Sequence, residues 1–203
     1  KGIKDMLAYL TILANPYDTL ALERALQTPR RGIGDGSIDK IRKLMQTASI
    51  SGLEALARAN EVITTKKILK AIGEFLALIA DAQKIYRKTY SLAALTEFIL
   101  DESGYRDMLL NEDSVDAETR LDYLNQFLAT AAEFDDKHDD LEDAALTVFL
   151  SDLALYTDTD DYSARQNSVS IMTLHSAKGL EFPVVFIPGM EEGVFPVSYT
   201  HLR

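Results

Sequence analysis

The 203-residue sequence contains no cysteine and no tryptophan. Without cysteine there is no disulfide scaffold, no thiolate metal site and no cysteine nucleophile, and the composition suits a reducing compartment, read here as the cytoplasm. Only three histidines are present, His138, His175 and His201, and their wide separation argues against a histidine metal cluster. No apolar run approaches the ~18 residues of a membrane span, and no charged-apolar-small signal pattern opens the chain, so no membrane partner is expected. A Gly-x-x-x-x-Gly-Lys-Ser/Thr phosphate loop is missing, and Ser176 lacks the flanking glycines of a hydrolase elbow. The acidic run Asp135–Asp140 lacks the glycine and terminal glutamate of a calcium loop and reads as a solvated interhelical loop.

What is present describes a folded chain. Apolar residues make up 47% and charged residues 26%, which argues against disorder. The net charge of −11 hides a segregation. Residues 1–90 hold 15 basic and 9 acidic side chains, a net of +6, whereas residues 91–165 hold 4 and 20, a net of −16. Fields act over about a Debye length, ~8 Å at physiological salt, so a basic half can meet nucleic acid within an acidic protein. Two solvated surfaces of opposite sign would give the same counts.

The periodicity predicts mainly α structure. Ile3, Met6, Leu7, Leu10 and Leu13 mark a first helix that Asn15-Pro16 stops. Asp18 caps a second, which ends before Pro29, and a third carries Ile38, Ile41, Leu44 and Met45 inward. Ser51-Gly52 opens a short helix bearing Leu53, Leu56 and Ala57. The longest stripe, Thr65 to Lys88, places Ile68, Ile72, Phe75, Leu76, Ile79 and Tyr86 on one face. Ser91, Asp116 and Asp140 read as caps of later helices, with Leu124 and Phe127 on one apolar face and Leu146 and Phe149 on another. Phe and Tyr side chains read mostly as core. Tyr156 to Asn167 reads as a polar connection. Val169–Leu174 and Pro183–Ile187 then read as two buried strands of a parallel α/β sheet. Two strands make no sheet alone, so this end is expected to belong to a domain whose remainder lies outside the chain, which looks excised from a longer protein.

Two motifs carry chemistry. Pro29-Arg-Arg-Gly-Ile-Gly34 lies between two helices, where glycines on either side of one apolar residue allow a tight hairpin. Ile33 would pack down and backbone N–H groups would point outward, with Gly34 in a conformation that glycine adopts easily. With the helix start near Ser37 those groups form a small anion cradle suited to a DNA phosphate, and Arg30 and Arg31 add charge beside it. An ordinary glycine-containing turn with two surface arginines fits the same spacing. The second motif, Thr173-Leu-His-Ser-Ala-Lys-Gly-Leu-Glu-Phe182, gathers polar groups at the exit of an expected strand, where open α/β sheets bind ligands.

Ser170–Phe186, followed by Gly189-Met-Glu-Glu-Gly-Val-Phe-Pro196, resembles motif V and its continuation in superfamily 1 DNA helicases of the UvrD/PcrA/Rep group. Ile3–Leu10, Ala14-Asn-Pro16 and Pro29–Gly34 are similar to the start of subdomain 2B in that group, and Ser103-Gly-Tyr-Arg106 to its middle. The resemblance implies a helical 2B subdomain over residues 1–166 and a partial RecA-like 2A segment over 167–196. The tail 197–203 departs from the pattern and reads as a cloning or sequence-assembly scar.

By the same resemblance the parent is an ATP-dependent 3′–5′ DNA helicase that uses ATP and Mg2+. This piece binds neither alone, because Walker A, Walker B and the later arginine motif lie elsewhere. Gly32, Ile33 and Gly34, with Arg30 and Arg31, are implied to touch duplex DNA. Thr173, His175 and Ser176 are implied to approach the single strand, and Glu181 and Lys178 the nucleotide. Two alternatives remain: the helicase subunit of a helicase–nuclease, and a module that docks repair or replication proteins through the acidic half.

Overall fold

The computed structural model describes residues 2–112, 114–159, 182 and 184–188. Lys1–Asp158 forms one compact unit and Thr159–Arg203 a second. The first is built of helices, and among the described residues there is no β-strand.

The first helix, α1 (Gly2–Ala14), departs from the one-sided stripe that its sequence predicts. Asp5, Met6, Ala8, Tyr9, Leu10 and Ile12 are all buried, while Lys4 and Ala14 are exposed and Ile3, Leu7 and Leu13 only partly buried, so the buried face is wider than that stripe and turned away from it. It lies against α2 (Thr19–Gln27), α6 (Leu92–Glu102) and α8 (Val115–Lys137). Asp5, 1% exposed, explains how a charge is tolerated there. Its carboxylate accepts from Arg24 Nε at 2.7 Å and from the Tyr105 hydroxyl at 2.7 Å. Burial and the Asp5 carboxylate together push the Tyr105 phenol well above its ordinary pKa, which keeps it a donor.

Local signals set most boundaries. Asp18 caps α2 by accepting from Ala21 N–H. Ser51 and Glu54 form a reciprocal capping box at α4 (Gly52–Ala57). There Ala55 and Leu56 are buried, while Ala57 is exposed. Between α2 and α4, α3 (Asp35–Ala48) buries Ile38, Ile41 and Met45 as its period predicts. The long α5 (Lys66–Thr89) buries Ile72, Phe75, Ile79, Ala82 and Tyr86.

After α6 comes the short α7 (Tyr105–Leu110), and α9 (Ala145–Thr159) follows α8. The cap of α8 is Ser114, which accepts from Ala117 N–H, and Asp116 lies inside its first turn. Asp140 caps no α-helix; a single 3-10 turn, Glu142–Ala144, leads into α9. The acidic run is not all loop either. Asp135 belongs to α8 and accepts from the Ser91 hydroxyl and the amides of Leu92 and Ala93, closing the start of α6 from outside.

The predicted connection starting at Tyr156 is instead helical through Thr159. Residues 184–188 form no strand, and Val184, Val185, Phe186 and Ile187 are exposed. A strand requires a ladder partner, and none is present among the described residues. The Val169–Leu174 run lies outside them.

Candidate nucleic-acid interface

The glycine hairpin joins α2 to α3. α2 ends at Gln27, the chain turns through Thr28, Pro29 and Arg30, and α3 begins at Asp35 with Gly34 as its cap. Ile33 is buried, as the motif predicts, and anchors the loop. Gly32 and Gly34 are exposed on either side of it. The left-handed residue is Gly32, at φ +73°, whereas Gly34 lies at φ −87°, ψ 168°, which any residue adopts. The expectation that Gly34 supplies the special conformation is therefore corrected: that role falls to Gly32.

Among the described residues, the backbone N–H groups of Gly32, Ile33, Gly34, Asp35 and Gly36 make no hydrogen bond within the protein. They are consecutive donors at the positive end of α3. Ser37 N–H, expected to help, is already given to Gly34 O at 2.9 Å. The Asp35 carboxylate competes at the same end and is held by Gln27 Nε2 at 2.9 Å.

The two arginines differ. Arg30 is exposed and has no ion-pair partner among the described residues. Arg31, which sequence reads as surface charge, turns inward. Its Nη1 donates to Ala25 O at 2.9 Å and Pro29 O at 3.1 Å, and Nη2 donates to the Tyr9 hydroxyl at 2.6 Å. The Tyr9 hydroxyl in turn donates to Thr28 O at 2.7 Å. Burial raises the Tyr9 pKa, and the adjacent Arg31 cation partly opposes that.

Two cations that the motif does not contain extend the hairpin's surface. Lys40 and Lys43 are exposed on α3, four and seven residues beyond Gly36 and so on the same helical face. Neither has an ion-pair partner among the described residues. Helical spacing from Gly36 would have found both.

Thr173, His175, Ser176, Lys178 and Glu181 lie outside the described residues. The residues implied to meet ATP are thus not placed, and no group of three or more His, Asp or Glu among the described residues is arranged to hold a metal such as Mg2+. Among the described residues, no helix is long and apolar enough to cross a membrane.

Comparison with known proteins agrees with the motifs. Residues 1–202 match the model of the UvrD-like helicase C-terminal domain, a span that runs into the 197–203 tail. The chain is 39% identical over 203 residues to the ATP-dependent DNA helicase PcrA of Staphylococcus epidermidis, covering 100% of this chain and 27% of that protein. It is 39% identical over 204 residues to PcrA of Bacillus subtilis, covering 98% of this chain and 27% of that one. The chain thus spans about a quarter of the length of the curated relatives it matches. From the end-to-end match and the shared motifs, this chain belongs to the UvrD-like helicase C-terminal domain family.

Proposed function

We propose that this chain is the duplex-engaging 2B subdomain, with the motif V edge of subdomain 2A, of a cytoplasmic ATP-dependent DNA helicase that moves 3′ to 5′. The observation that carries the reading is the hairpin: five consecutive unpaired amides at Gly32–Gly36, an inward anchor at Ile33, and the free cation Arg30 beside them. Amides and a single arginine at a loop tip hold phosphates without reading bases, which is what a motor advancing over any sequence requires. Lys40 and Lys43 would continue the track along α3.

Motif V residues Thr173, His175 and Ser176 would meet the single strand, and Glu181 and Lys178 the nucleotide, once the remainder of the motor is supplied. ATP with Mg2+ would supply the energy of translocation in the parent. This chain contributes no phosphate loop to that chemistry. Purified alone, it should therefore hydrolyse no ATP with or without DNA, and turnover that follows the chain through purification would refute the assignment.

The binding test is fluorescence anisotropy on duplex DNA across a salt series. Two or three phosphate contacts predict a log–log slope of about −2 to −3. A flat salt response would remove the duplex reading. A second reading, docking of a repair or replication protein, draws on Leu110 and Val115, exposed at 63% and 79% in the acidic half. It predicts capture of such a partner that persists after charge reversal at Arg30.

A further inference from the structure

Arg31 stands in the middle of the proposed duplex contact, yet it offers its charge to the protein. Its guanidinium lies by two aromatic rings, with Cζ 5.9 Å from the Tyr9 centroid on α1 and 5.3 Å from the Phe75 centroid on α5. The planar fork reaches the carbonyls of Ala25 and Pro29 and the Tyr9 hydroxyl. Ala25 O is one of the last carbonyls of α2, left without an intrahelical donor, so the cation also sits at the negative end of that helix. One side chain thus ties α1, α5 and the end of α2 to the residue immediately before the left-handed Gly32.

We propose that Arg31 is a positioning residue for duplex binding: it fixes the Gly32–Gly36 amides in one geometry and gives no charge to a phosphate. The inference rests on the hairpin being the duplex contact. Gly32, Gly34 and Gly36 make three glycines in five residues, a segment that would otherwise sample many conformations and lose affinity to the cost of ordering. Ile33 holds the segment at one point, and Arg31 holds the peptide that enters it. Lysine keeps the charge but has neither the planar fork nor the stacking surface, so it cannot do the same work.

The experiment uses the full 203-residue chain, with circular dichroism to confirm helicity, and anisotropy on a labelled duplex oligonucleotide over a salt series. Arg30→Lys should bind nearly as wild type. Arg31→Lys should bind about tenfold more weakly with an unchanged slope, the size of one lost charge-assisted hydrogen bond. Tyr9→Phe, at a side chain with 0% exposure that cannot reach DNA, should weaken binding about threefold, again without changing the slope, by loosening the same anchor. Wild-type affinity for Arg31→Lys, or a slope flattened by about 0.9 in Arg31→Ala, would overturn the inference, since the latter marks a lost phosphate contact.

The heteronuclear 15N NOE of Gly32, Gly34 and Gly36 gives a readout independent of DNA. It should fall in Arg31→Lys and stay unchanged in Arg30→Lys. If wild type shows no salt-dependent duplex affinity, the duplex reading fails. The glycine NOE values then decide the anchor alone: a fall upholds it and constancy refutes it.

Discussion

The basic and acidic halves of the helical unit handle charge in mirror-image ways. Across residues 1–90 every carboxylate is engaged. Asp5 holds Arg24 and Tyr105, Glu23 and Asp39 hold Arg42, Asp18 and Glu54 cap helices, and Asp35 accepts from Gln27. Glu61, Glu74 and Asp81 pair with Arg58, Lys70 and Lys84. Among the described residues from 91 to 159 it is the cations that are all engaged: Arg106 with Asp101, Arg120 with Asp116 and Glu112, and Lys137 with Glu133. The minority charge of each half is fully engaged, and the charge left without a partner among the described residues is of the majority sign. Local composition therefore states the sign of each surface, while the unpaired residues state where that field is available to a partner.

Substitutions can break this division. Asp5→Ala should have the largest effect, because it strands a buried phenol and removes the partner of Arg24. A loss of about 2–3 kcal/mol in urea-derived stability is expected. Asp135→Asn probes a majority charge used internally, as Arg31 is in the other half; losing part of the outside cap on α6 should cost about 1–2 kcal/mol by the same measurement. Lys40→Ala combined with Lys43→Ala should change stability by no more than about 0.5 kcal/mol, as expected for exposed sites. The same pair should flatten the duplex-binding salt slope by up to about 1.8.

The smallest effect concerns acid. The Ser51 hydroxyl and amide hold the Glu54 carboxyl below the usual glutamate range. A lowered folded-state pKa means stability that is present above the unfolded value and lost as pH falls through the folded one. Glu54→Gln should soften that acid limb in thermal melts, and an unchanged limb would show the capping box to be energetically silent.

The helices were legible because apolar spacing and caps such as Asp18, Ser51 and Ser91 act over a few residues. Failures came where distant partners decide. Asp116 and Ser114 are both plausible caps of α8, and only the hydrogen bond to Ala117 separates them. The sequence stripe of α1 omits Asp5 and Tyr9 from its buried face because their partners lie up to 100 residues away. Arg30 and Arg31 are chemically identical in sequence, and the Tyr9 and Phe75 rings that distinguish them belong to other helices. Likewise, the motif names both glycines, but the backbone angle alone assigns the left-handed turn to Gly32.

The packing of α1 against three helices has a mechanical meaning. An edge helix can be peeled away one turn at a time, each contact failing before the next is strained. α1 is gripped by α2, α6 and α8 together and pinned through Asp5 to Tyr105, so tension on its first turn is shared across the core at once. Force arriving along this helix is thus transmitted to the whole unit, including α2, whose far end carries the glycine hairpin. Pulled from its first turn, α1 should therefore yield together with the helical unit and not ahead of it.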